Sequence, residues 1–189
     1  MALPAFIQGT RRRFAVPAQA TGDAVATAAT TAAGSQPRKL DYPPQPQRWS
    51  QWCWAAVAVG VARCYDSSSQ WEQCSVAADV LGRACCNGAF CNEKAGLGSA
   101  LDVVGHRDTI AAQPMSLAEV RDEIDAGRPV CVRQLIGGQG HVVAIYGYLN
   151  RNGRQFVFVA DPAHRTSMYE FHRLDTRSRP WTHTYTTQR

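Results

Sequence analysis

Three residues in this sequence have the side chains and settings that nucleophilic acyl transfer requires: Cys53, His141 and Asp161. Cys53 stands in Gln47-Arg48-Trp49-Ser50-Gln51-Trp52-Cys53-Trp54-Ala55-Ala56, at the head of an apolar run. It would lie in the first turn of a helix, where free backbone amides and the positive end of the dipole stabilise a thiolate. His141 follows Gly137-Gly138-Gln139-Gly140 and opens an apolar strand, while Asp161, followed by Pro162, ends the next one. Taken singly, a cysteine is more often a small core residue or half of a disulfide, and a strand-end aspartate more often starts a turn. Taken together they supply a nucleophile, an imidazole to hold its proton and a carboxylate to orient and stabilise the imidazolium.

These residues need elements to position them. Residues 52–65 (WCWAAVAVGVARCY) are alanine-rich and apolar on nearly all sides, which predicts a buried helix despite Gly60. Residues 73–81, stopped by Gly82, and 97–104, stopped by Gly105, read as two more helices. Ser116-Leu117-Ala118-Glu119 is a capping box, so a helix over 117–126 follows, ended by Gly127 and Pro129. Then the pattern changes. Residues 130–136, 141–149, 155–160 and 167–171 are short runs rich in β-branched and aromatic residues, separated by glycine or turn signals. Helices first and strands second indicate an α+β domain, with the nucleophile helix packed on a C-terminal antiparallel β-sheet.

The hairpin between His141 and Asp161 carries an internal test. Across a plain two-residue Asn152-Gly153 turn, the two side chains would point to opposite faces of the sheet. A three-residue Arg151-Asn152-Gly153 loop, with Gly153 left-handed, changes the parity. Asp161 then lies opposite Val143, diagonal to His141 on the same face, about 7 to 8 Å away at the backbone. The sequence reading therefore expects the three-residue loop or another of odd length.

With these residues in view, the sequence resembles the papain-like cysteine proteases, most of all the bacterial branch that includes plant-pathogen effector proteases and the double-glycine-leader peptidases. The likeness rests on Gln47 six positions before Cys53, on Trp54-Ala55-Ala56, on Gly140-His141-Val142-Val143 and on Val159-Ala160-Asp161-Pro162, and it covers residues 41 to about 165. It implies Cys53 as nucleophile, His141 as general base and acid, and Asp161 as the third member. It also implies that Gln47 supplies a side-chain amide to an oxyanion hole whose other donor is the Cys53 backbone N–H. Gln51, an amide nearer to Cys53, competes for that role. Trp49, Trp52 and Trp54 either wall a substrate groove or belong to the core. Leu3-Pro4-Ala5-Phe6 has a faint likeness to the self-processing site of some relatives, broken at Ile7.

Composition sets the remaining bounds. A chain of 189 residues and 20.7 kDa suits one domain with an extension. Twelve of the 16 residues from 18 to 33 are alanine or threonine, so 1–40 reads as a flexible, basic extension before a peptidase domain over 41–189. The net charge of +5 belongs mostly to that extension, which has five basic groups against Asp23 alone. The rest is nearly balanced, with no basic stripe to read nucleic acid. The longest uncharged apolar stretch, 52–62, is far shorter than a bilayer-spanning helix. A weakly apolar start precedes Arg11, Arg12 and Arg13, the reverse of a Sec signal, so a secreted or translocated bacterial protein would leave by another route.

Of the seven cysteines, Cys64 is about 16 Å from Cys53 along one helix stripe, too far to replace it. Cys74, Cys85, Cys86 and Cys91 form a cluster for which disulfides, with Cys64 or Cys131 as further partners, are favoured over zinc or free thiols. The reading calls for no cofactor and no metal, and for a protein or peptide substrate. The rival uses are acyl transfer or deamidation by the same triad, or a catalytically inert disulfide-stapled binding module. Residues 165–189 carry five arginines against Glu170 and Asp175, which suits acidic targets or a solvated surface.

Overall fold

The computed structural model describes residues 36–189. The alanine- and threonine-rich stretch 18–33, the segment 3–6 and most of the expected extension lie outside the described residues. The architecture is α+β, with a seven-stranded antiparallel sheet covered by helices on both faces.

Arg38–Lys39 forms β1, and Tyr42 to Pro46 runs without regular structure toward α1, Cys53–Tyr65. Two shorter helices, α2 (Gln73–Leu81) and α3 (Leu97–Val103), pack beside α1 and end close to Gly82 and Gly105, both left-handed. After β2 (Arg107–Ala111) comes α4 (Leu117–Asp125), opened by the expected capping box: the Ser116 hydroxyl accepts from the Glu119 amide, and the Glu119 carboxylate accepts from the Ser116 amide. The chain then enters β3 (Val130–Ile136), β4 (Gln139–Arg151), β5 (Arg154–Asp161), β6 (Arg165–Glu170) and β7 (Trp181–Thr187). The strand order is β2-β7-β3-β4-β5-β6, with β1 on β4.

Both faces of the sheet centre are buried, so β3, β4 and β5 read as largely apolar runs rather than as strict alternation. Cys131, Val142, Ala144 and Ala160 face α1 to α3, whereas Val130, Val132, Val143 and Ile145 face α4. Helix α1 is apolar all round because it is enclosed: every residue from Trp54 to Ala62 is buried. Gly60, which looked like a weakness, has a packing cause. A Cβ there would sit 2.2 Å from the Tyr42 hydroxyl, which donates to the Val57 carbonyl at 3.2 Å.

The expected three-residue loop between β4 and β5 is not formed. The turn is the two-residue Asn152-Gly153, both left-handed at φ 52° and 74°, as a tight hairpin requires. The parity is corrected further along the strand. Ile145 pairs with Val159 but Gly147 pairs with Phe158, leaving Tyr146 as an extra residue in a β-bulge. Its carbonyl accepts from the Leu40 amide at 2.8 Å, and its ring stacks on Tyr42. The odd residue thus moved from the loop into the strand, where the incoming chain holds it.

Three strands escape the sequence reading, the first being β1, a two-residue pairing on β4. β2 is a polar edge strand, and β7 reads as Trp-Thr-His-Thr-Tyr-Thr-Thr. Thr184 and Thr187 of β7 are buried, yet their hydroxyls are satisfied by the Gln113 and Pro129 carbonyls, each at 2.7 Å. Buried hydroxyls with partners leave no apolar signature. No helix among the described residues is long and apolar enough to cross a membrane.

Candidate active site

Cys53 is the first residue of α1, preceded by Trp52. No side chain caps this end and no acidic residue sits in the first turn, so its amides remain available to an anion. The segment before it is held tightly. The Gln47 backbone N–H donates to the Pro162 carbonyl at 2.9 Å, joining this loop to the turn after Asp161. The fully buried Trp52 indole donates to the Cys91 carbonyl at 2.6 Å, and the buried Trp54 indole to the Glu93 carbonyl at 3.1 Å. These two indoles are core anchors, although Trp54 also reaches the groove, and Trp49 packs partly buried against the same core.

The structure brings Cys53, His141 and Asp161 together. His141 Nε2 lies 2.8 Å from Asp161 Oδ1, and Cys53 lines the same groove as His141, near enough for its side chain to act on the titration of the imidazole. Burial is the largest single influence on His141 and acts to lower its pKa. The hydrogen bonds and charges of Asp161 and Cys53 together outweigh it and push the group up to about 9. Burial likewise acts first on Asp161 and would raise it, but His141, the Ala163 amide and His164 hold its carboxyl below the usual range. Both Asp161 oxygens are engaged: Oδ1 also accepts from the Ala163 amide at 2.9 Å, and Oδ2 lies 3.2 Å from His164 Nδ1.

Gln47 Nε2 donates to the Trp49 and Ser50 carbonyls at 3.0 and 2.8 Å, and its Oε1 is buried without a partner. Gln51 lines the groove beside Cys53, and its backbone amide donates to Asn92 Oδ1 at 2.9 Å. Asn92 and His164 escaped the sequence reading. Nothing local marks Asn92, whose side chain also donates to the Ser50 hydroxyl at 2.9 Å, so it braces the loop that leads into Cys53. His164 follows Asp161 by three residues, a spacing that a turn brings into contact.

The groove has a volume of about 550 Å³ and runs between Gln51, Cys53 and Lys94 to Gly96 on the helical side, and Arg133, Gly140, His141 and His164 on the other. The helical wall is stapled. Cys74 is bonded to Cys86 and Cys85 to Cys91, so the cluster forms two disulfides within itself and takes in neither Cys64 nor Cys131. Burial pushes the Cys64 thiol up to about 11, with Asp41 adding to the rise, and pushes Cys131 higher still. Neither is suited to act as a thiolate. No group of side chains suited to hold a metal ion occurs among the described residues.

Compared with known proteins, the chain matches the family described as Peptidase_C39 like over residues 39–187. None of the curated proteins matches it.

Proposed function

Since the chain belongs to the Peptidase_C39 like family and is a papain-like cysteine protease, we propose that it hydrolyses a peptide or isopeptide bond in a protein substrate through a thioester on Cys53. The observation that carries this reading is that Cys53 and His141 line one groove and His141 is hydrogen-bonded to Asp161, bringing together residues up to 108 positions apart in sequence.

In the first half-reaction the Cys53 sulfur attacks the carbonyl carbon, and the former carbonyl oxygen becomes an oxyanion. The Cys53 backbone N–H, free at the helix start, faces that charge. Gln47 is the proposed second donor. Both its N–H bonds go to the Trp49 and Ser50 carbonyls in the resting enzyme, so one would be exchanged for the oxyanion. Gln51 is the competing donor. His141, held as imidazolium by Asp161, protonates the leaving amine as the C–N bond breaks. It then takes a proton from water as that water attacks the thioester and releases the acid.

The two disulfides suit an oxidising compartment, and with the resemblance to effector proteases they support a secreted or translocated bacterial protein. The test of the catalytic reading is to incubate the full chain with a mixture of denatured proteins in ¹⁸O-water and sequence the new ends. The expected result is new C-termini carrying ¹⁸O, absent with Cys53→Ala and reduced on the order of 100-fold by the substitution that removes the true oxyanion donor, Gln47→Ala or Gln51→Ala. Modification of a peptide amide without a new terminus would replace hydrolysis with deamidation or transfer.

A further inference from the structure

Arg133 is the one charged residue of β3, between Val132 and Gln134, both buried. Cys131, two residues earlier, packs against α1, and Arg133 continues that row to the point where the sheet meets the groove. Arg133 is half-buried, and its guanidinium meets one protein acceptor, the Thr182 hydroxyl, 2.8 Å from Nη1. No carboxylate among the described residues pairs with it. The Nε and Nη2 edge lies across the bare Cα of Gly140, where a Cβ would come within 2.9 and 2.7 Å of those atoms. Gly140 therefore allows this cation to reach the groove beside His141.

The charge around it is one-sided. Lys94, Arg133, His141 and His164 line the groove, and no aspartate or glutamate does. Nearby carboxylates are already committed: Asp161 to the two histidines and Glu93 to Arg83. Tyr185, which faces Cys131 on the neighbouring strand, adds a phenol to the same floor. A partly desolvated guanidinium without a counter-charge is costly to hold in a resting protein. Apart from the Nη1 bond to Thr182, its N–H donors meet no protein acceptor among the described residues, and a guanidinium has the fork geometry that a carboxylate fits.

Building on the peptidase reading, we propose that Arg133 is a specificity-determining residue that binds a substrate carboxylate in the groove, so that the enzyme selects peptides with an acidic group close to the scissile bond. The favoured source is an internal Asp or Glu side chain. A terminal α-carboxylate offers the same chemistry, and the test separates the two.

The experiment uses the full chain and two peptide libraries: one with blocked termini and Asp/Glu or Asn/Gln at each position, the other neutral but with a free C-terminus. The first should show an acidic preference of about 10- to 100-fold at one position. Arg133→Gln should erase it, Arg133→Lys should retain part of it, and Arg133→Glu should shift selection to Lys or Arg. A preference seen only in the second library would assign the carboxylate to the chain end. Equal cleavage of acidic and neutral peptides would overturn the proposal and leave the peptidase reading intact. A second measurement needs no cleavage: the ratio of Cys53 alkylation rates by iodoacetate and iodoacetamide. The ratio should fall by about 10-fold in Arg133→Glu, and an unchanged ratio would overturn the proposal even if no peptide were cut.

Discussion

The two walls of the groove are built on different principles. On the sheet side, His141 and Asp161 meet because a backbone ladder counts residues, and the bulge at Tyr146 sets the count. On the helical side, the loop before Cys53 is located by side-chain fastenings: two indoles, the Asn92 carboxamide and a segment closed by disulfides. A counted geometry is right or wrong, since a slip of one residue turns every side chain over. A fastened geometry loosens by degrees. Variants of the first wall should lose function in one step, and variants of the second should lose it gradually.

After Cys53 itself, the largest effect is expected at His141. Replacement by Ala should lower kcat/KM by about 10²- to 10⁴-fold or more with the fold retained by circular dichroism. Asp161→Asn should cost on the order of 100-fold and also change the pH profile. In the wild type the imidazolium persists up to about pH 9, so kcat/KM should fall above that value. Without the carboxylate that favours the charged ring, the alkaline limb should move down toward neutrality, as a kcat/KM titration would read. An alkaline limb that stays in place in Asp161→Asn would break the link between the two residues.

On the helical wall, replacing both Cys85 and Cys91 with Ser should lower stability by about 2 kcal/mol, the value for a short closed loop. It should reduce activity without abolishing it, as thermal unfolding and assay of the same sample would show. Asn92→Ala should lower kcat by about 10-fold through loss of the bonds to Gln51 and Ser50. Asn92→Asp, which keeps the acceptor for the Gln51 amide, should recover part of that loss.

The smallest effect concerns stability. Because folding raises the His141 pKa, its contribution is complete below the ordinary histidine value of about 6.5. It should fade as pH rises through about 9. Urea midpoints for wild type should therefore decline over that window more steeply than those of His141→Ala.

The same contrast explains what the amino-acid sequence revealed. Elements with local signals were legible nearly to the residue, such as α2, closed by Gly82, and α4, opened by the Ser116 capping box. The need for odd parity between His141 and Asp161 was legible too, because it follows from strand geometry. Its location was not, since Tyr146 bulges in response to Leu40 and Tyr42, about a hundred residues away. β7 was hidden by threonines whose burial depends on distant carbonyls. Asn92 and Arg133 were missed because their significance lies in contacts or in the lack of a counter-charge, and neither leaves a local pattern.

The most direct test of the account is intact-protein mass spectrometry after brief iodoacetamide treatment without reductant, on wild type, Cys53→Ala and His141→Ala. The account predicts one rapid adduct on wild type, none on Cys53→Ala and a slowed one on His141→Ala. It also predicts a mass that shows four oxidised cysteines, with Cys64 and Cys131 as unmodified thiols. A wild-type protein without the fast adduct, or an adduct that survives in Cys53→Ala, would contradict the assignment of Cys53 as an activated nucleophile.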